Sequence, residues 1–288
     1  MTGHLVDDLV AAGPVLTDGA WGTQLSTLGL AAGEQAELWN LNRPDGVEAV
    51  ARSYVEAGSR VILTNTFQGN RIALRDAASD VEAINRAGTE ISRLAAGEQA
   101  HVFASMGPSN KMLFTGETDE AELRDVFTEQ AAALAGGGAD GLVIETMSDL
   151  AEAVIAVGAA RTTGLPVVAC MTYDTGKKCD RTMMGVTPDQ AAKELEDAGA
   201  DVVGANCGVG IDLAAPICAA LVGATERPVW MKANAGLPDL VDRQVVYLMT
   251  PEQFAGHALG LVEEGAAFVG GCCGTTPEFI AALAQKLG

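Results

Sequence analysis

Residues 196–207 read Glu-Asp-Ala-Gly-Ala-Asp-Val-Val-Gly-Ala-Asn-Cys: the acidic end of an Ala/Leu/Glu-rich stretch, a glycine turn, a short β-branched run, and a polar, reactive pair at its far end. Glycine stops a helix and valine favours a strand, so the segment predicts a helix passing into a strand within a few residues. The same order returns in EAGSRVIL (56–63), GGGADGLVI (136–144) and EEGAAFVGG (263–271).

Outward from these echoes, eight short β-branched runs can be counted, at 15–19, 60–67, 101–107, 141–146, 166–173, 201–207, 228–236 and 267–273, with helical stretches between them. Strands alternating with helices give a parallel sheet. Eight such units in 288 residues is the number of a closed (β/α)8 barrel, the TIM barrel of the α/β class. A doubly wound open sheet is the alternative topology. Two helix starts carry their own caps, Thr187-Pro188-Asp189-Gln190 and Thr250-Pro251-Glu252-Gln253, each with a capping Thr, a first-turn Pro and a Gln three residues on. No linker or change of composition divides the chain, so one domain over 1–288 is expected.

Composition agrees with layers built from small aliphatic residues: 48 % of the chain is apolar but only 5 % aromatic, and there are 34 glycines. With 18 basic against 38 acidic side chains the net charge is −20, which argues against nucleic acid as a partner. The amino-terminal MTGHLVDDLVAAG is acidic where a secretory signal is basic, and no run approaches the ~18 apolar residues of a membrane span, so no membrane role and a cytoplasmic location are expected.

Helix-to-strand turns are short while strand-to-helix loops are long, notably 107–118, 174–186 and 235–249. In a barrel that puts the long loops on the carboxyl face, where barrel enzymes keep their sites. Polar or reactive residues stand where strands end: Asp18, Thr64-Asn65-Thr66, Ser109, Glu145, Tyr173-Asp174, Asn206-Cys207, Asn234 and Cys272-Cys273. None of the three histidines, 4, 101 and 257, falls at such an end, which argues against imidazole general-base chemistry and against a histidine metal site.

The six cysteines are too few and too irregularly spaced for a disulfide scaffold. Cys207 closes the sixth strand and Cys272-Cys273 the eighth, so a barrel would bring three thiols to one region. A soft sulfur set suits zinc, and three protein ligands leave a position for substrate. A fourth ligand could come from Cys170, Cys179 or Cys218, of which the first and last read as buried core thiols. Two other readings stay open at this point: a vicinal disulfide or inert core thiols, and glycine-rich anion loops (NCGVGID, GGCCGTT) of a phosphate-binding barrel lyase or isomerase.

The residues also resemble a known family. LTDGAWGTQL (16–25), ELWNLNRPD (37–45), LTNTF (63–67), MGPSN (106–110), IETMSDLAEA (144–153), GANCGVG (204–210), NAGLP (234–238) and GGCCGTTPEFI (270–280) are similar to segments of the homocysteine S-methyltransferases, zinc-dependent barrels that methylate homocysteine to methionine. The resemblance implies that Cys207, Cys272 and Cys273 bind Zn2+, that Glu145 engages the homocysteine amino group, and that Asp18, Gly19, Thr64, Asn65, Thr66 and Ser109 line the amino-acid pocket. It places Asn234 near the metal, as a fourth ligand when substrate is absent. Gly107-Pro108-Ser109 stands where the family more usually has Gly-Pro-Thr. No protein side chain is then the catalytic nucleophile, because the zinc-activated substrate thiolate is. The donor is left open: a methylated corrinoid on a separate protein, or a small molecule such as betaine or S-methylmethionine. A zinc-thiolate scaffold without turnover is the remaining alternative.

Overall fold

The computed structural model describes residues 3–241 and 244–288. Seven parallel strands follow in order, β1 (Val15–Leu16), β2 (Val61–Ile62), β3 (His101–Met106), β4 (Gly141–Met147), β5 (Val167–Met171), β6 (Val202–Gly210) and β7 (Val229–Asn234). A small antiparallel ribbon, β8 (Asp239–Val241) and β9 (Gln244–Val246), precedes the last parallel strand, β10 (Ala266–Gly271). The sheet runs β1-β10-β7-β6-β5-β4-β3-β2, and a parallel bridge between Thr17 and Val61 joins its two edges. The expected (β/α)8 barrel is therefore the fold, rather than an open sheet. The ribbon was not foreseen, because 235–249 carries no tight-turn dipeptide and reads as loop.

Helix α1 (Gly3–Ala11) precedes the barrel, and α2 (Pro44–Glu56), α3 (Val81–Ala96), α4 (Glu120–Gly136), α5 (Leu150–Arg161), α6 (Pro188–Ala198), α7 (Ala215–Val222), α8 (Pro251–Glu263) and α9 (Pro277–Leu287) surround it. The echoed turns share one device: Gly58, Gly138, Gly199 and Gly265 all take left-handed φ, from +90° to +109°, reversing the chain into the next strand. Thr250 makes the full capping box with Gln253 at the start of α8. At α6, Thr187 accepts from Gln190 N, but the Gln190 amide turns to Glu194 instead of closing the box. Thr250→Ala should lower stability by about 1 kcal/mol, read as a fall in Tm with binding untouched, since the cap faces solvent.

Two apolar layers hold the barrel. The outer one lies between sheet and helices and is built largely from Ala, Val, Leu and Ile, as the composition requires. The inner one fills the lumen: Val15, Val61, Phe103, Val143, Val168, Val202, Trp230 and Phe268 come one from each barrel strand, and Leu63 and Cys170 add to them one level higher. Trp230 stacks between Phe103 and Phe268, with ring centroids 6.3 and 5.1 Å away. Val6 and Leu9 of α1 join this cluster and plug the amino-terminal end. The lumen is thus solid at its base, so a cavity can open only at the carboxyl end. No helix among the described residues is long and apolar enough to cross a membrane.

Candidate metal centre and amino-acid pocket

Strand alternation carries the lumen from apolar to polar in one step. Two residues above the Val/Phe/Trp layer come Ser105 on β3, Glu145 on β4 and Lys232 on β7, and two residues above those come Asn206 on β6 and Asn234 on β7. Beyond them lie the thiols.

The Sγ atoms of Cys207, Cys272 and Cys273 all lie within 4.8 Å of one another, and Cys207 and Cys273 are 3.8 Å apart. Thiolates held by one tetrahedral zinc at ~2.3 Å stand roughly 3.8 Å apart, so the spacing already suits the ion. The register of β6 against β7 slips between Cys207 and Gly210, and Cys207 sits at φ +58°. Such a bulge re-aims a side chain that regular pleating would direct elsewhere. The vicinal pair is tied to β7: Cys272 N donates to Ala233 O (2.8 Å) and Ala235 N to Cys273 O (3.0 Å). Thr275 Oγ1 adds a bond to Cys272 O (2.7 Å).

The donor set fits a cation in two further respects. The Cys272 and Cys273 thiols hydrogen-bond to Cys207, outweigh burial and hold its thiol down to about 3. The same contact with Cys207 raises Cys272, and raises Cys273 to about 11. The three thiols thus titrate as one coupled group, and positive charge among them favours their full deprotonation. Second, Asn234 donates through Nδ2 to Gly208 O (3.0 Å), while its Oδ1 is buried without a partner, as expected of an oxygen that serves as a ligand or takes a donor from a bound group. Cys170 and Cys218 are buried, in β5 and α7, and neither they nor Cys179 joins the trio.

Gly274, directly after the thiols, has φ +81°, and a Cβ there would run into the ring of Tyr247. Gly274→Ala should therefore cost about 1–3 kcal/mol through backbone strain and displace the Cys272-Cys273 turn. Reduced zinc content measured beside the Tm of the same sample checks this.

Beside the trio opens a cavity of about 280 Å³, walled by Trp21, Thr64, Asn65, Phe67, Glu145 and Lys232, with the three cysteines on its other side. Glu145 is 8 % exposed and held through both oxygens, with acceptor capacity to spare: Ser105 Oγ donates to Oε1 (2.5 Å) and Asn206 Nδ2 to Oε2 (3.1 Å). Asn206 also grips the next residue, accepting from Thr146 N (2.6 Å) and donating to Thr146 Oγ1 (2.7 Å), which holds Thr146 at φ +59°. Burial raises the Glu145 carboxyl above the usual carboxylate range, opposed by Lys232 and by the Ser105 bond. A desolvated carboxylate aimed into a cavity is suited to a small organic cation.

The other expected pocket residues divide. Gly19, Thr64 and Asn65 reach the cavity wall. Asp18 lies beneath it, fully buried, accepting from Trp21 Nε1 (2.8 Å) and Leu63 N (2.7 Å) through Oδ2 and from Lys232 through Oδ1. Thr66 ties β2 to β3, sharing a 2.5 Å bond with Thr64 Oγ1 and donating to Ser105 O (2.7 Å). Ser109 lies on the neighbouring loop, its N donating to Glu152 Oε1 (2.7 Å). Of the aromatics near the mouth, Trp39 and Tyr173 are buried and Trp21 and Phe67 line the cavity.

Sequence reading missed three participants. Lys232 is 2 % exposed and faces the cavity, and its only signal was a lysine inside the strand run PVWMKANAG. Ser105 sits mid-strand, where a serine draws no notice. Glu37, also on the cavity wall, is 4 % exposed and accepts from Gln68 N (2.8 Å).

Residues 15–287 match the family model for homocysteine S-methyltransferase. The methionine synthase of Mycobacterium tuberculosis (strain ATCC 25618 / H37Rv) is 33 % identical over 309 aligned positions, covering 99 % of this chain and 26 % of that protein. That of Mycobacterium leprae (strain TN) is also 33 % identical, covering 94 % of this chain and 24 % of its own. The chain thus spans about a quarter of the length of these relatives. Among solved structures, the metallated form of the homocysteine methyltransferase MmuM from Escherichia coli superposes with a TM-score of 0.78 at 21 % identity, over 95 % of this chain and 96 % of that one. With a barrel that closes, three thiols gathered at its carboxyl mouth and a family match from the first strand to the last helix, the chain belongs to the homocysteine S-methyltransferase family.

Proposed function

We propose that these 288 residues form one cytoplasmic, zinc-dependent catalytic domain that methylates the thiol of homocysteine to give methionine. The observation that carries this reading is the adjacency of the cysteine trio to a cavity of amino-acid size with a buried carboxylate in its wall. The family, and the names of its relatives, supply the substrate class.

Cys207, Cys272 and Cys273 would hold the zinc, whose contribution when bound is to convert a substrate thiol, ordinarily of pKa ~8.5, into a thiolate at neutral pH. The protein's own groups do the rest by position. Glu145, fixed by Ser105 and Asn206, receives the α-ammonium and so sets where the amino acid's side chain points. Trp21 and Phe67 give the cavity dry walls, which strengthens that charge pairing. The open carboxyl end admits the donor, and holding sulfur and methyl carbon in line lowers the barrier by orientation. The thiol proton leaves to solvent before transfer, and as the S–CH3 bond forms the donor departs with the electron pair of its own bond to the methyl carbon, so the transfer step needs no general base; among the described residues, no histidine lines the cavity.

A methylated corrinoid protein and small onium compounds are both compatible with an open mouth. The test is a panel: zinc-loaded protein with homocysteine and, separately, methylcobalamin, betaine, S-methylmethionine and S-adenosylmethionine, with methionine as the readout. Methionine formed with one donor supports the reading and names the donor. Failure of homocysteine to bind zinc-loaded protein at all overturns it.

A further inference from the structure

We propose that a second cavity of the carboxyl face, enclosed by the loops that follow β3, β4 and β5, is a binding site for a compact aliphatic cation of the quaternary-ammonium kind. The site shares no acid with the amino-acid pocket and is tested without homocysteine, so it stands or falls apart from the methylation reading.

The cavity measures about 300 Å³, the lower end of the range of small-molecule sites. It meets the amino-acid pocket at Thr146, which lines both. Met112, from the loop after β3, and Met183 and Met184, from the loop after β5, form its apolar side, and all three are exposed. Asp149 and Glu152, at the start of α5, form the acidic side. Polarisable thioethers open to solvent beside two carboxylates are what a ligand with methyl groups and a positive charge would cover.

Glu152 is the decisive group. It is 4 % exposed, its hydrogen bonds come from Ser109, whose N donates to Oε1 (2.7 Å), and among the described residues it has no ion-pair partner. A carboxylate offers about four acceptor sites, so a buried charge in the cavity wall keeps capacity for a ligand. Burial raises this carboxyl above the usual carboxylate range, against the pull of the Ser109 bonds, as expected of an acid without a counter-charge.

The make-up of the wall selects among ligand classes. Lys111, the one cation lining the cavity among the described residues, gives its ammonium to both oxygens of Glu122 (3.1 and 3.2 Å). The amino end of α5 carries roughly half a positive charge, against two full negative charges on Asp149 and Glu152, and Asp149 Oδ1 already caps the helix at Ala151 N (2.9 Å). The balance is anionic, which disfavours phosphates and carboxylates. No aromatic side chain lines the cavity among the described residues, so a nucleobase or other flat ring has nothing to stack on. A small cation whose charge is spread over its CH groups satisfies both sides at once, the charge toward Asp149 and Glu152 and the methyls toward the thioethers.

Choline and 3,3-dimethylbutan-1-ol, its uncharged isostere with carbon in place of nitrogen, separate charge from shape. Each is titrated, with no thiol present, into the full chain carrying methyl-labelled methionine, and followed by NMR. Choline should move the methyl signals of Met112, Met183 and Met184, leave those of the buried Met106, Met147, Met171 and Met231 in place, and bind roughly tenfold or more tighter than the alcohol. Glu152→Gln, which can still accept from Ser109 N, should shrink that preference to within about threefold. Asp149→Asn keeps the helix cap and should reduce the preference in part, so the test does not hang on one variant. Glu145→Gln should leave choline binding as it is, because that carboxylate serves the other cavity. A preference that survives both Glu152→Gln and Asp149→Asn, or that falls only in Glu145→Gln, overturns the proposal. So does saturating choline that moves none of the three methyl signals.

Discussion

Cys273→Ser is expected to take the zinc content from about one per chain to near none on dialysis, and to lower kcat/KM for homocysteine methylation on the order of 1,000-fold or more, about 4 kcal/mol of transition-state stabilisation. The argument is geometric. Cys273 Sγ stands 3.8 Å from Cys207 Sγ, and a serine hydroxyl is both shorter in reach and far less acidic than a thiol. With one ligand gone, two thiols and an amide oxygen do not retain the ion. The fold should survive, because the trio lies above the packed lumen rather than within it. Metal analysis and circular dichroism on the same sample separate the two effects, and a variant that keeps a full complement of zinc would sink the assignment. Uptake of zinc by the wild-type apoprotein at pH 7 should also release protons from the coupled trio, in which Cys272 and Cys273 are held above the usual thiol range.

Glu145→Gln is expected to raise KM for homocysteine by roughly 30- to 1,000-fold, the worth of a buried charged hydrogen bond, with kcat changed far less and zinc content unchanged. Glutamine keeps the shape and, with its oxygen accepting from Asn206 Nδ2 and its amide donating to Ser105 Oγ, keeps both contacts, so what is lost is the charge that faces the substrate's ammonium. Stability should move the other way. Burial raises the Glu145 carboxyl in the folded state, so its contribution to folding is present at low pH and lost as pH rises through that raised value. At neutral pH the glutamine variant escapes this loss and should melt at an equal or higher temperature. A residue whose removal costs binding but not stability is there for function. The wild-type KM should also climb on acidification starting above the usual carboxylate range, and the part of that climb due to Glu145 should vanish in the variant. An unchanged KM would mean that the ammonium binds elsewhere.

Much of this was legible in residues. The short glycine turns into Val/Ile runs gave the count of strands, and the bridge from Thr17 to Val61 closes the barrel that count implied. Cys207, Cys272 and Cys273 could be picked out because strand ends of a barrel converge wherever they lie in sequence. Asp18 shows where such reasoning stops: a polar residue at a strand end is assumed to meet ligand, yet it turns beneath the wall to Leu63 N, Trp21 and Lys232. Whether a side chain touches ligand or supports one that does depends on depth along the lumen, which a one-dimensional pattern does not carry. Lys232 was missed for the complementary reason. A lysine amid apolar strand residues reads as an exception to burial until the two carboxylates that accommodate it are seen together.

The backbone bonds from Cys272 and Ala235 that lock the vicinal cysteines onto β7 have an evolutionary corollary. Because the three thiols are anchored in the sheet and the rim is made of loops, the rim can be rewritten without moving the thiols. On the reading proposed above, a lineage could exchange one methyl source for another by loop change alone, inheriting the cysteine trio intact.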